Sequence, residues 1–282
     1  SLGGRAIGLV GANGAGKSTL IGALLGVLRV RTGRVRVLGL DLPAEAMELR
    51  ARAGVMAEQA GIFPGGSGVE AVVFAGTLSG LARREALRRA HRALDALDVG
   101  EERYRPTRGY STGMRQRCKL AMSLVHDPEI LILDEPTVGL DPPGRLQLLN
   151  LIRELRDEGR RILFSTHVLH DAEALCDEML LLEGGAVAFY GPVGSLLGPE
   201  SQVMEAQGEG LGEALAARLA AAGYRVGESE PGRIVFRTGP QGDLMPFWRA
   251  VAEAGAEVRR LERQTSTLED AVLSAMERAR AN

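Results

Sequence analysis

Short apolar runs alternate with amphipathic stretches along most of this chain. Arg5 to Val10 reads Arg-Ala-Ile-Gly-Leu-Val with glycine on both sides, which predicts a short buried strand. A glycine-rich turn follows, and then Leu20, Leu24, Leu25 and Leu28 recur at helical spacing, predicting a helix that opens near Gly16 and closes around Arg29. Gly33 to Leu38 alternates apolar and polar positions, as a strand with one wet face does. From Val69 to Leu97 the period is helical, with Leu87, Ala90, Leu94 and Leu97 on one stripe. Glu129 to Leu133 and Ile162 to Phe164 are continuous apolar runs, the pattern of strands covered on both faces in a parallel sheet, and Leu146 to Leu155 supplies a helix between them. Strand, helix and strand in this alternation predict an α/β fold with a mainly parallel sheet.

The pattern changes near Gly191-Pro192 and again at Gly198-Pro199. Beyond them lie short alternating segments at Val203 to Ala206, Arg225 to Gly227, Arg233 to Arg237 and Glu257 to Leu261, separated by helical stretches at Leu211 to Ala222 and Leu244 to Ala254. That order, βαββαβ, predicts a small ferredoxin-like α+β unit. Ser266-Thr-Leu-Glu269 has the spacing of a capping box and predicts a last helix with Leu268, Val272, Ala275 and Met276 on one face.

Composition narrows the function. The 282 residues carry 34 Lys and Arg against 36 Asp and Glu, a net charge of −2, which argues against polyanion binding. The arginines at 83, 84, 88 and 89 are interleaved with Ala and Leu at helical spacing and read as a solvated helix face. Nearly all basic residues are Arg. The only lysines, Lys17 and Lys119, mark positions where a compact ammonium replaces the planar guanidinium fork. Cys118 and Cys176 are too few for a disulfide framework, so a reducing compartment is expected. The longest apolar stretch, Leu20 to Leu28, falls short of the ~18 residues of a membrane-spanning helix, so any membrane connection comes through a partner.

Two motifs carry chemistry. Gly11-Ala-Asn-Gly-Ala-Gly-Lys-Ser-Thr19 matches the P-loop pattern and lies between a predicted strand and a predicted helix. Glycines let successive backbone N–H groups point inward at a phosphate, and the helix that follows offers its positive end to the same anion. Gly11, Ala12, Asn13, Gly14, Ala15, Gly16, Lys17, Ser18 and Thr19 are therefore the candidate ATP-binding residues, with Lys17 reaching the β- and γ-phosphates and Ser18 offering its hydroxyl to Mg²⁺. The second motif is the apolar strand ending in Asp134 and Glu135. Adjacent residues at a strand end point in different directions, so Asp134 is expected to orient Mg²⁺ through water and Glu135 to act as general base on the attacking water.

With these motifs in place the chain resembles the nucleotide-binding subunits of ABC transporters. Tyr110-Ser-Thr-Gly-Met114, followed by Arg115-Gln-Arg117, resembles the family signature, with Thr112 where the fullest form has glycine. Val138-Gly-Leu-Asp141 resembles the D-loop, and Thr166-His167 the switch histidine. The other histidines, at 91, 126 and 170, are read as ordinary surface or core residues. The resemblance implies a P-loop NTPase core with a helical subdomain over about 65–125, within a domain of residues 1–198, and an accessory α+β domain over 199–282. It implies ATP with Mg²⁺, a catalytic pair of Glu135 and His167, and Ser111, Thr112, Gly113 and Met114 with Asp141 completing the site of a second chain. It implies metal contacts from Ser18, Asp134 and Glu58, the last standing where the family has a Q-loop glutamine, with Gln59 next. The family's opening strands, with an aromatic residue that stacks on adenine, would precede Leu2. The tail from Val203 resembles the extension of bacterial export-type ATPases that work with a separate permease. The expectation is thus an ATPase motor of a membrane exporter on the cytoplasmic face of a bacterial membrane, partnered by a second copy or a homologous subunit and by an integral membrane permease, with no nucleic acid. The competing readings are a soluble ABC ATPase of translation or DNA repair, and a nucleotide-binding regulatory module with little turnover.

Overall fold

The computed structural model describes residues 3–58, 61–62, 66–196, 203–238, 243–264, 271–272 and 275–276. The chain divides into two compact units, one of Ser1–Val193 with Met276–Asn282 and one of Gly194–Ala275. In the larger unit the elements are β1 (Ala6–Val10), α1 (Lys17–Leu24), β2 (Val35–Val37), β3 (Leu40–Leu42), α2 (Ala46–Arg52), β4 (Ala53–Met56), α3 (Gly68–Leu78), α4 (Arg83–Ala96), α5 (Thr112–Leu124), β5 (Ile130–Asp134), α6 (Pro142–Asp157), β6 (Arg161–Thr166), α7 (Leu169–Leu175), β7 (Glu178–Glu183) and β8 (Ala186–Pro192). A one-turn helix, α8 (Val193–Leu196), follows.

A six-stranded sheet runs in the order β4-β5-β6-β1-β7-β8, parallel except for the antiparallel edge strand β8. Side chains alternate across a strand, and here both faces are covered. Ala6, Leu131, Leu133, Ile162 and Phe164 pack with α3 to α7, whereas Ile7, Leu9, Ile132 and Leu163 pack with Ile21 and Leu25 around α1. That explains why these strands read as continuous apolar runs. β2 and β3 form a separate two-stranded hairpin. No helix among the described residues is long and apolar enough to cross a membrane.

Two helices differ from the sequence reading. The first ends at Leu24 rather than around Arg29, because Gly26 turns left-handed at φ +65°, and the Gly26 and Val27 amides donate back to the Ala23 and Gly22 carbonyls. Leu28, placed on the helical stripe by its spacing, is half exposed. The helical stretch from Val69 is two helices, separated by a turn with Gly80 at φ +91°. On α4 the buried stripe is Ala86, Ala90 and Leu94, and Leu87 faces outward. The Ser266 capping box lies outside the described residues.

The smaller unit contains β9 (Val203–Glu209), α9 (Glu213–Ala221), β10 (Arg225–Glu230), β11 (Arg233–Arg237), α10 (Met245–Ala254) and β12 (Glu257–Gln264). Its antiparallel sheet runs β10-β11-β9-β12, the ferredoxin-like arrangement that βαββαβ predicts. Met204 and Ala206 of β9 and Ile234 and Phe236 of β11 share a core with Leu215, Leu219, Phe247, Ala250 and Val251 of the two helices.

Candidate functional site

β1 is buried along its whole length and delivers the chain to the glycine-rich turn at the carboxyl edge of the sheet. Gly11 admits no side chain: a Cβ there would lie 2.7 Å from the Leu182 carbonyl oxygen and 2.9 Å from the Ala15 Cβ. Gly14 and Gly16 have φ of +83° and +102°, the left-handed region that favours glycine. Gly16 caps α1 without a side-chain hydrogen bond, and the first turn of α1 holds no acidic residue. The N-terminal amides are thus not capped by a side chain, and the helix dipole acts in the same direction.

Lys17 is buried and turned back over the loop. Its Nζ donates to the carbonyls of Gly11 at 2.7 Å and Ala12 at 3.4 Å, and lies 3.3 Å from Glu135 Oε1. Glu135 is itself buried, at φ +50°, a backbone conformation rare outside glycine. Its Oε2 accepts from His167 Nδ1 at 2.9 Å, whereas Oε1 has the Lys17 charge beside it and accepts no formed hydrogen bond. The neighbouring carboxylate faces elsewhere: Asp134 accepts from Ser165 Oγ at 2.8 Å and from Ser18 Oγ at 3.4 Å. The two adjacent carboxylates therefore hold separate sets of partners, one around the ammonium and imidazole, the other around two hydroxyls.

These groups meet in a cleft of about 470 Å³ lined by Ala12, Asn13, Gly14, Gly16, Lys17, Ser18, Thr19, Glu58, Asp134, Glu135, Val138 and His167. Gly11 and Ala15 are buried and are not among its lining residues. The hydroxyl of Ser18 and the carboxylate of Asp134 are hard oxygen donors, and such a sparse set fits Mg²⁺, which keeps most of its coordination for water and phosphate. No group of three or more His, Cys, Asp or Glu among the described residues is arranged to hold a metal by protein alone. Glu58 lines the cleft with its side chain exposed, and its carbonyl accepts from Lys119 Nζ at 3.0 Å. Burial, followed by the nearby Arg115 charge, lowers the Lys119 pKa. Both lysines of the chain thus act on cleft segments.

Ser111, Thr112, Gly113 and Met114 lie elsewhere. Ser111 caps α5, its Oγ accepting from the Met114 amide at 3.2 Å. These four residues and Asp141 line a second groove, of about 760 Å³, which shares no lining residue with the first. Thr112 fits against the loop before Asp141: a Cβ on Gly139 would lie 3.4 Å from its Cγ2. Gln116 Nε2 donates to the Val138 carbonyl at 3.3 Å and ties α5 to that same loop.

Three participants escaped the motif reading. Ser165, fully buried at the end of β6, holds Asp134, and a polar residue closing an apolar run was the available signal. Thr137 and Asp171 pair at 2.8 Å with both side chains buried, and no local pattern signals a contact between residues 34 apart.

A family model described as ABC transporter matches residues 3–138. The chain is 39% identical over 193 residues to the daunorubicin/doxorubicin resistance ATP-binding protein DrrA of Streptomyces peucetius, covering 68% of this chain and 58% of that one. It is 33% identical over 240 residues to the Nod factor export ATP-binding protein I of Ralstonia nicotianae, covering 84% of this chain and 74% of the relative. The chain spans between 55% and 62% of the length of three of its curated relatives, DrrA among them. A solved structure described as the ATP binding subunit of an ABC transporter superposes with a TM-score of 0.61 at 29% identity, covering 68% of this chain and 81% of that one.

Proposed function

This chain belongs to the ABC transporter family of ATP-binding proteins, and we propose that it is the ATP-hydrolysing motor subunit of a bacterial membrane exporter. The observation that carries the reading is the convergence of Lys17, Ser18, Asp134, Glu135 and His167 on one cleft while Ser111 to Met114 line another. Incoming ATP presents its phosphates to the loop amides and draws the Lys17 ammonium away from Glu135. Glu135 Oε1, buried and without a hydrogen bond, is then the free acceptor for a proton of the attacking water, and His167 holds the other oxygen still. Ser18 and Asp134 are the residues to hold Mg²⁺, whose charge offsets that of the phosphates. The remaining chemistry is positioning and charge stabilisation as water displaces ADP from the γ-phosphate.

The separate grooves support a two-chain site. One chain offers the P-loop cleft, and a second copy or a homologous subunit offers Ser111, Thr112, Gly113 and Met114 with Asp141. The drug-resistance and Nod-factor-export names of the relatives support export through a membrane permease at the cytoplasmic face. Mixing Lys17→Ala chains with Ser111→Arg chains tests the shared site. Each variant alone lacks one half and should release almost no phosphate, whereas the mixture can assemble one intact composite site and should recover partial activity. Full activity in either variant alone would overturn the two-chain reading. No phosphate release from the unaltered chain, with ATP still bound, would favour a regulatory module instead.

A further inference from the structure

Asp171, in the first turn of α7, has no exposed surface, and neither motif nor cleft accounts for it. A buried carboxylate is costly unless its oxygens are paired, and both of these are. Oδ2 accepts from Thr137 Oγ1 at 2.8 Å, and Oδ1 accepts from Arg145 Nε at 2.7 Å. The two partners bracket the loop that ends at Asp141. Thr137 stands two residues after Glu135 and its carbonyl accepts the Leu140 amide at 3.3 Å, while the Val138 amide donates to the Glu135 carbonyl at 3.3 Å. Arg145 lies in the first turn of α6, where its amide donates to the Asp141 carbonyl at 2.9 Å. On its own side, the Asp171 amide donates to the carbonyl of Val168, the residue after His167.

We propose that Asp171 is a positioning residue for hydrolysis, bracing the segment that carries Glu135 and Asp141 against the segment that carries His167. The inference rests on the ATPase reading above. His167 to Glu135 is one rung between these two segments and Asp171 to Thr137 is a second, and two rungs resist the rotation that one allows. Stability alone is a poor account of the carboxylate, because a buried ion pair adds little over a well-packed apolar pair of the same volume. A brace needs the directional hydrogen bonds that an apolar pair lacks.

The test uses Asp171→Asn, which keeps volume and an acceptor but removes the charge facing Arg145, and Thr137→Val, which removes the hydroxyl and keeps the shape. Each should lower kcat by about 10- to 100-fold with ATP affinity unchanged, since small misplacements of reacting groups cost that much. The double variant should fall no further than the worse single one, the mark of two residues acting through one contact. Amide hydrogen exchange at Val138 and Leu140 should speed up in both variants while the β1 amides keep their protection, a readout that does not depend on turnover. Normal kcat in either variant, unchanged protection of Val138 and Leu140, or a loss of ATP affinity parallel to kcat would overturn the proposal. Absent turnover in the unaltered chain would instead sink the ATPase reading, and the exchange measurement would still decide whether the brace exists.

Discussion

The two units bury different things. The larger one encloses Lys17, Arg103, Asp134, Glu135 and Asp171, together with Gln116, Thr137, Ser165 and Thr166. In the smaller one Thr238 is the one buried polar side chain among the described residues, and charges are exposed or only partly buried, as in the pairs of Arg233 with Glu205 and Glu228, or Arg218 with Glu253. Enclosing a charge costs free energy that an apolar side chain would not, so charges persist inside only where something else requires them. Here most of them converge on the cleft or on the contact that braces it. Function is therefore written in the larger unit as an excess of buried charge, and the smaller unit rests on apolar packing.

That contrast can be broken most directly in the smaller core. Phe236 is fully buried, stacked on Phe247 at 4.6 Å and meeting Tyr224 edge-on at 5.3 Å. Phe236→Ala should cost about 3–5 kcal/mol in urea unfolding. A loss under ~1 kcal/mol would mean that the apolar core does not carry this unit.

The next effect is kinetic and lies in the cleft. Glu135→Gln keeps the shape but removes the proton acceptor, so phosphate release should fall about 10²-fold or more while ATP binding persists. Undiminished release would show that the buried charge of Glu135 serves structure only. The contrast would then lose its functional meaning.

The smallest effect concerns a partly buried group of the larger unit away from the cleft. His126 Nε2 donates to the Ala53 carbonyl at 3.2 Å, its Nδ1 is buried without a partner, and burial lowers its pKa, against the weaker pull of the Ala53 hydrogen bond. The native state thus holds the imidazole neutral at pH values where the unfolded chain takes up a proton. This contribution to stability is complete above about pH 6.5, the unfolded value, and is lost as pH falls toward the lower folded value. Comparing denaturation of the unaltered chain with His126→Gln across pH 5 to 8 should show a steeper acid loss in the former. Parallel curves would show that the partly buried imidazole places no strain on the larger unit.

The sequence alone determined what depends on neighbours along the chain. Glycine at 11, 14 and 16, a lysine next in line, and apolar runs ending at Val10 and Asp134 fix a strand, a tight glycine-rich turn and a pair of diverging carboxylates, because local backbone freedom and period-two alternation need no distant partner. The βαββαβ order of the smaller unit was legible for the same reason. α1 stops at Leu24, a turn short of its apolar spacing, because Gly26 is a local stop signal in the left-handed region. Only the tertiary structure decided that Lys17 rests against Glu135 across 118 positions of sequence, that Ser165 supports Asp134, and that the signature residues open onto a groove apart from the P-loop cleft. The Asp171 contacts belong with these. Asp171, His170 and Glu173 look alike on an amphipathic helix, and packing against Thr137 and Arg145 alone makes the first a buried anion and leaves the other two in solvent.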